Sequence, residues 1–282
     1  MSEKNVARVF PRKTSMTPDD DLVFINVPPP RLILPEVDEV HVSVAFTWDM
    51  KRAEGLAKEW EMVGVPVKIG GPAFNVPGDD FKPGMYLKKG CVITSRGCPN
   101  RCWFCEVPKR EGYKLRELPV ENGWNVMDDN LLACSEDHIR EVFEMLERQA
   151  HRPVFTGGLE AKILKPWHVE LMRKVKTERV YFAYDTPDDY DPLVEAGKLL
   201  KQNGFGIETH KVGAYVLIGY PKDTFEKAEK RLRETIQAGF MPYAMLYRDK
   251  KGETDKEWRK FQREWCRPQI VATKLTGEKP NS

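Results

Sequence analysis

Thr94-Ser95-Arg96-Gly97-Cys98-Pro99-Asn100-Arg101-Cys102-Trp103-Phe104-Cys105 is the stretch on which the fold of this chain turns. An apolar run, Cys91-Val92-Ile93-Thr94, leads into it, and Gly97 marks a tight turn. Three cysteines then fall within eight residues at C-x3-C-x2-C spacing. Thiolates so close in sequence can converge on one metal centre. They are one short of the four that close a tetrahedral zinc site or saturate an ordinary cubane cluster. A four-iron cluster held by three cysteines keeps one iron open to a further ligand. Taken alone, the cysteines also fit two other readings: reduced structural thiols, or a zinc site completed by a distant residue.

The whole chain narrows the class. Its 282 residues can bury a large core in one big domain, or in one domain with an appendage. A hydrophobic content of 41% beside 31% charged residues suits a soluble globular protein. No apolar run approaches the ~20 residues that span a bilayer. Met1-Ser2-Glu3-Lys4-Asn5 lacks the apolar core of a signal peptide. Six cysteines, half of them clustered as if for a metal, fit a reducing compartment rather than a disulfide scaffold. The expectation is a cytoplasmic protein with no membrane association. A net charge of +2 gives no whole-protein attraction to nucleic acid, though it leaves room for a local basic patch.

Working outward toward the N-terminus, residues 1–20 are polar and read as a flexible segment. Residues 22–26 form a strand candidate ended by Pro28-Pro29-Pro30. Residues 40–46 alternate as a second strand. Asp49 is placed to cap a helix with Ala53, Leu56, Ala57 and Trp60 on one face. Residues 65–69 make a third strand, closed by Gly70-Gly71-Pro72. Strand, helix, strand reads as a parallel βαβ unit within 21–87.

Working outward toward the C-terminus, short apolar runs alternate with amphipathic helices, a parallel α/β pattern. Strands are expected at 124–127, 153–156, 180–184, 214–218 and 243–247. Ser135 and Asp191 are expected to cap helices, and Asp223 and Glu226 to begin another. The charge run 227–234 reads as the solvated face of its helix. Counting from the cysteine loop gives six βα-type strands over 88–250. In a parallel β/α barrel, function collects at the carboxyl ends of the strands. Those ends carry the three cysteines, Asp128-Asp129-Asn130, Gly157-Gly158 with Glu160, Asp185, and Gly219. Residues 251–282 read as a C-terminal helix bearing Trp258, Phe261 and Trp265, with Arg259, Lys260 and Arg263 on other faces, and a disordered tail from 273.

The twelve-residue string, with an aromatic before its last cysteine, resembles the cluster loop of the radical S-adenosylmethionine (radical SAM) superfamily. With six ordered βα units behind it, the likeness covers roughly residues 88–250. It implies the superfamily's partial (β/α)6 barrel, here with a small N-terminal βαβ extension. Met127-Asp128-Asp129-Asn130-Leu131 and Val216-Leu217-Ile218-Gly219-Tyr220-Pro221 give it the flavour of the cobalamin-domain and methylthiotransferase branch. Val42-Ser43-Val44-Ala45-Phe46-Thr47 and Gly70-Gly71-Pro72 resemble the last βαβ of a cobalamin-binding domain, here reduced to a Rossmann-type remnant. The cobalt-ligating Asp-x-His-x-x-Gly is missing, and His41 sits inside a strand, which argues against cobalamin.

The resemblance implies that Cys98, Cys102 and Cys105 ligate a [4Fe–4S] cluster whose open iron chelates the amino and carboxylate groups of S-adenosylmethionine. The superfamily often uses Gly-Gly-Glu after the second strand for the amino group. Here Asp128, Asp129 and Asn130 occupy that place, and Gly157-Gly158-Leu159-Glu160 comes one strand later. Glu160, Lys162 and Asp185 are candidates for the methionine carboxylate or ribose hydroxyls. Phe104, Ile218 and Gly219 are candidates to border the adenine. Reductive cleavage would give a 5′-deoxyadenosyl radical that takes a hydrogen from substrate, with an electron donor such as flavodoxin or ferredoxin.

Cys91, Cys134 and Cys266 remain. Cys134 is either a thiol hydrogen donor to a substrate radical or a small buried residue. No added RNA-binding or cysteine-rich module is visible, which favours a small-molecule or nucleotide-like substrate. A macromolecule-modifying enzyme and a non-catalytic iron–sulfur or zinc protein are the alternatives.

Overall fold

A computed structural model of the chain describes residues 4–75, 81–266 and 271. The chain forms two compact units, Met1–Gly123 and Trp124–Ser282. The division falls inside the span 88–250 expected as one barrel.

The first unit is built on β1 (Val6–Phe10), β2 (Val23–Ile25), β3 (Glu39–Ser43), α1 (Met50–Trp60) and β4 (Val67–Gly70). All three pairings are parallel, in the order β2-β1-β3-β4. That order is how a flavodoxin-like doubly wound sheet begins. The βαβ unit is present, but the expectation of a flexible 1–20 is corrected. β1 is an inner strand, and Ala7 and Val9 are fully buried in the core with Val40, Val42, Ala53, Leu56 and Trp60. The strand is short, and a charge interrupts its apolar run. That charge, Arg8, is buried because Asp20 and the carbonyl of Gly84 take its guanidinium. α1 presents Ala53, Leu56 and Trp60 at i, i+3, i+7, the spacing of one helical face. The buried Trp60 indole donates to the Asn26 carbonyl at 2.9 Å. Asp49 precedes α1 but makes no side-chain cap; Arg12 holds both its oxygens instead. The unit continues with β5 (Cys91–Val92), β6 (Ser95–Arg96), α2 (Val107–Glu111) and β7 (Arg116–Glu117), with β6 and β7 antiparallel.

The second unit alternates strand and helix throughout. It runs β8 (Asn125–Val126), α3 (Glu136–Glu147), β9 (Val154–Leu159), α4 (Pro166–Lys174), β10 (Arg179–Ala183), α5 (Tyr190–Gln202), β11 (Val212–Ile218), α6 (Phe225–Gln237), β12 (Met241–Leu246) and α7 (Lys256–Trp265). β8 to β12 lie side by side in sequence order and every pairing is parallel. Their carboxyl ends therefore share one edge of the sheet, which positions the candidate site. Strand alternation is plain in β11: Val212, Ala214, Val216 and Ile218 are fully buried, whereas Tyr215 and Leu217 on the other face are half-exposed. α3 starts where expected, with Ser135 Oγ accepting the His138 N–H at 3.2 Å.

Four local expectations are corrected. Gly157 and Gly158 lie inside β9, not beyond it. Asp191 is not the cap of α5, because Asp189 folds back on Thr186 one turn earlier. Thr224, not Asp223, caps α6 by accepting from the Lys227 N–H. Arg231 belongs to the charge run read as solvated, yet it is buried and paired. α7 docks through Trp258, Phe261 and Trp265, with Phe225 of α6 stacking on the first two. The tail from residue 273 lies outside the described residues. Among the described residues no helix is long and apolar enough to cross a membrane.

Candidate functional site

In the first unit the cysteine loop hangs between β6 and β7. Leu118 N–H donates to the Thr94 carbonyl at 2.8 Å, which closes the base of the excursion. Gly97 turns the chain out of β6 with φ +87°, and a Cβ there would lie 2.4 Å from the Lys114 carbonyl oxygen. Only glycine meets both demands. Cys105 N–H donates to the Cys102 carbonyl at 3.1 Å, a single turn that holds the last two cysteines near each other. α2 follows at once, and its last residue, Glu111, is buried between Arg110 and Arg116 at 2.8 Å each. That pairing ties the far side of the loop down to β7.

Cys98 and Cys105 are half-buried, Cys102 is exposed, and no cysteine of the chain is in a disulfide. Trp103 is 56% exposed and meets Phe104 edge to face. Arg101 lies over the Tyr113 ring. Three soft sulfur donors on one short loop, reachable from solvent, fit an iron–sulfur cluster in number and chemistry. Among the described residues no three His, Cys, Asp or Glu side chains are gathered as a metal-holding group.

In the second unit the polar residues at the strand ends are built in. Asp128 and Asn130 are 2% and 3% exposed. Asn130 donates from Nδ2 to Glu160 Oε2 at 2.7 Å, so the ends of β8 and β9 are linked side chain to side chain. Gly157 lies against this segment so closely that a Cβ would come 2.1 Å from the Asp128 carbonyl oxygen. Lys162 reaches Asp189 at 2.9 Å. Asp185 follows β10 and accepts the Leu217 N–H of β11 at 2.9 Å. Burial pushes the Asp185 carboxyl up to about 6, and that hydrogen bond opposes the shift. By area Asp185 is only half-buried, so its desolvation comes from the protein packed around it rather than from complete enclosure.

The loop after β11 is fixed from below. Asp223 Oδ2 accepts both Gly219 N–H and Arg231 Nη2 at 2.8 Å, and Arg231 also donates to the Leu217 carbonyl at 2.9 Å. Arg231 lies beneath the Tyr220 ring as well. Cys134 is buried, and its backbone N–H donates to the Leu131 carbonyl at 3.1 Å.

The sequence reading passed over one feature of this unit. Tyr181, Tyr215 and Tyr243 come from three adjacent strands and share one face of the sheet. Tyr181 and Tyr215 stack at 4.7 Å, and Tyr243 meets both edge-on. Tyr215 donates to the Thr156 carbonyl at 3.1 Å, and Thr156 to Asn125 Oδ1 at 2.7 Å. Their position midway along each strand, alternating with fully buried neighbours, was the available signal.

The structure thus brings Asp128, Asn130, Gly157 and Glu160 together, with Asp185 and Gly219 at neighbouring strand ends. Cys98, Cys102, Phe104 and Cys105 belong to the loop of the first unit. No curated protein sequence matches the chain. A sequence model of the radical SAM superfamily matches residues 92–264, from β5 through almost all of α7. The chain belongs to the radical SAM superfamily and is an enzyme of that class.

Proposed function

We propose that Cys98, Cys102 and Cys105 hold a [4Fe–4S] cluster and that the strand ends of the second unit hold S-adenosylmethionine. The observation that carries this reading is the C-x3-C-x2-C loop at the head of a superfamily match that runs through all five parallel strands of the second unit. When bound, the two groups would supply a 5′-deoxyadenosyl radical able to abstract a hydrogen atom from substrate.

The chain's own residues bind and orient. Asp128 and Asn130, both buried and the latter braced by Glu160, offer oxygen acceptors suited to the methionine ammonium group. Lys162 suits a carboxylate, although Asp189 already holds it. Asp185 has Oδ1 fixed by Leu217 N–H, which leaves Oδ2 for a ribose hydroxyl. Ile218 and Gly219 border the adenine, and the Asp223–Arg231 pair keeps Gly219 in place. The tyrosine face offers planar, largely apolar surface for substrate. Flavodoxin or ferredoxin is the proposed source of the electron.

We read the β2-β1-β3-β4 sheet as a scaffold descended from a cobalamin-binding domain and working without cobalamin. His41, the histidine nearest to a ligand role there, is engaged by Tyr86 at 2.6 Å and Glu39 at 3.1 Å. The substrate favoured is a small, nucleotide-like molecule, and the site of action the cytoplasm.

The test is anaerobic reconstitution followed by dithionite and S-adenosylmethionine. Wild-type protein is expected to form 5′-deoxyadenosine at least tenfold above a Cys98→Ala control. Equal yields from the two would defeat the reading.

A further inference from the structure

The outer surface of the cysteine loop is aromatic as well as charged. Tryptophan is highly buried on average, yet Trp103, next to Cys102, is 56% exposed. Tyr113, on the way from α2 to β7, is 54% exposed. Arg101 lies over its ring, 5.0 Å from the centroid. That contact joins the arm of the loop that leaves β6 to the arm that returns to β7. The backbone joins the same two arms, since a Cβ on Gly97 would lie 2.4 Å from the Lys114 carbonyl oxygen. Arg101, Tyr113 and Lys114 are all exposed, and Trp103 stands two residues beyond Arg101.

The charge of this segment is local. Residues 96–117 hold six lysines and arginines against three glutamates, a net +3, whereas the whole chain carries +2. Two of the three glutamates are engaged inside the segment: Glu111 is buried between Arg110 and Arg116, and Glu106 pairs with Lys109 at 2.6 Å. Arg101 and Lys114 therefore place positive charge beside two exposed rings. Trp, Tyr and Arg are the residues that dominate the energy of protein–protein contacts. Surface cations chiefly set the rate of encounter and the choice of partner.

Resting on the cluster proposed above, we propose that this patch is where the electron donor docks, and that the donor is flavodoxin, a small acidic protein carrying flavin mononucleotide. The chemistry of the class needs an electron delivered at the cluster. Trp103 is one residue from Cys102 and two from Cys105, so a partner seated on it sits against the iron ligands. The acidic surface of the partner is complementary to the net charge of the segment and is steered to it. A flavin presents the planar edge of its ring system, which exposed indole and phenol rings match. A ferredoxin keeps its cluster beneath backbone and offers these rings no plane. In the transfer one electron leaves the reduced flavin and enters the cluster. No bond forms or breaks, and each partner changes by one electron. Arg101 and Lys114 also offset the negative charge that the loop gains.

The test uses the full chain loaded with its cluster, a bacterial flavodoxin, and a [2Fe–2S] ferredoxin as the competing carrier. Calorimetry measures binding of each carrier, and stopped-flow absorbance measures reduction of the cluster by reduced flavodoxin. The panel is wild type, Arg101→Glu/Lys114→Glu and Trp103→Ala. Flavodoxin is expected to bind wild type less tightly as salt is added. The charge reversal is expected to weaken that binding and to slow reduction at least about tenfold. Trp103→Ala is expected to slow reduction while keeping the salt dependence of wild type. With dithionite, which needs no docking, both variants are expected to form 5′-deoxyadenosine within about twofold of wild type. Binding and reduction that the charge reversal leaves unchanged overturn the proposal. So does wild type that binds no flavodoxin, or that binds ferredoxin more tightly. Equal losses with flavodoxin and with dithionite overturn it as well, because the residues would then serve the cluster itself. If wild type forms no 5′-deoxyadenosine with dithionite, the radical chemistry has failed, and calorimetry still decides the docking.

Discussion

The cysteine loop and the strand ends of the second unit, the two places proposed to hold the cluster and S-adenosylmethionine, are built in opposite ways. The loop holds three exposed or half-buried sulfurs on a segment with one short helix, closed at its base by Leu118 N–H on the Thr94 carbonyl and tied to β7 through Glu111 and Arg116. The strand ends hold buried or half-buried carboxylates and amides that are hydrogen-bonded to neighbouring strands or to their own loop. A metal–thiolate cluster can supply its own ordering energy, because ligand bonds are strong and binding is linked to local folding. An organic cofactor held by hydrogen bonds cannot, so its site has to be rigid in advance. The difference teaches where stability and activity should separate: changes at the loop should abolish chemistry and leave the second unit standing, and changes beneath the strand ends should do the reverse first.

The largest effect on stability is expected at Arg231. Arg231→Met strips the buried carboxylate of Asp223, the acceptor that anchors Gly219, of its charge partner. Breaking a buried pair on one side costs about 3–5 kcal/mol, and urea unfolding measures it. Cys98→Ala, run beside it without iron, should change the unfolding free energy by no more than about 1 kcal/mol, as expected for a small change at a half-buried loop position. A loop variant that destabilises as much as Arg231→Met would break the contrast.

A smaller effect, with a pH signature, is expected at Asp185. Its folded pKa of about 6 lies above the ordinary 3.8, so the folded chain holds the proton more tightly than the unfolded chain. That contribution is complete below pH ~4 and is lost as pH rises toward 6. Asp185→Asn keeps the acceptor for Leu217 N–H and cannot ionise. It should flatten the pH dependence of stability across that window and raise stability at pH 7 by up to about 3 kcal/mol. The check is thermal unfolding of both proteins between pH 4 and 7.

Much of this was legible in the chain. The C-x3-C-x2-C spacing, the order of strands and helices and the Ser135 cap are local patterns, and local patterns survive in sequence. What escaped was decided by distant partners. Val6-Ala7-Arg8-Val9-Phe10 is a short apolar run broken by a charge and set in a polar segment, and its burial is met by Asp20 and the carbonyls of Gly84 and Val6. Arg231 has the sequence surroundings of a solvated helix face, and its burial depends on Asp223 a turn before the helix has settled. Asp49 and Asp191 look like caps because caps favour aspartate. One was claimed by Arg12, and Asp189 took the other's place. The tyrosine face needed strand register, which alternation suggests but does not fix.

The central claim is that three cysteines hold a cluster with one iron left for S-adenosylmethionine. Electron paramagnetic resonance of the reduced, anaerobically reconstituted protein, recorded before and after S-adenosylmethionine is added, tests it most directly. The account predicts a reduced [4Fe–4S] signal that changes on addition and is missing from Cys98→Ala. A signal that S-adenosylmethionine leaves untouched, or protein that holds zinc and no iron, would contradict it.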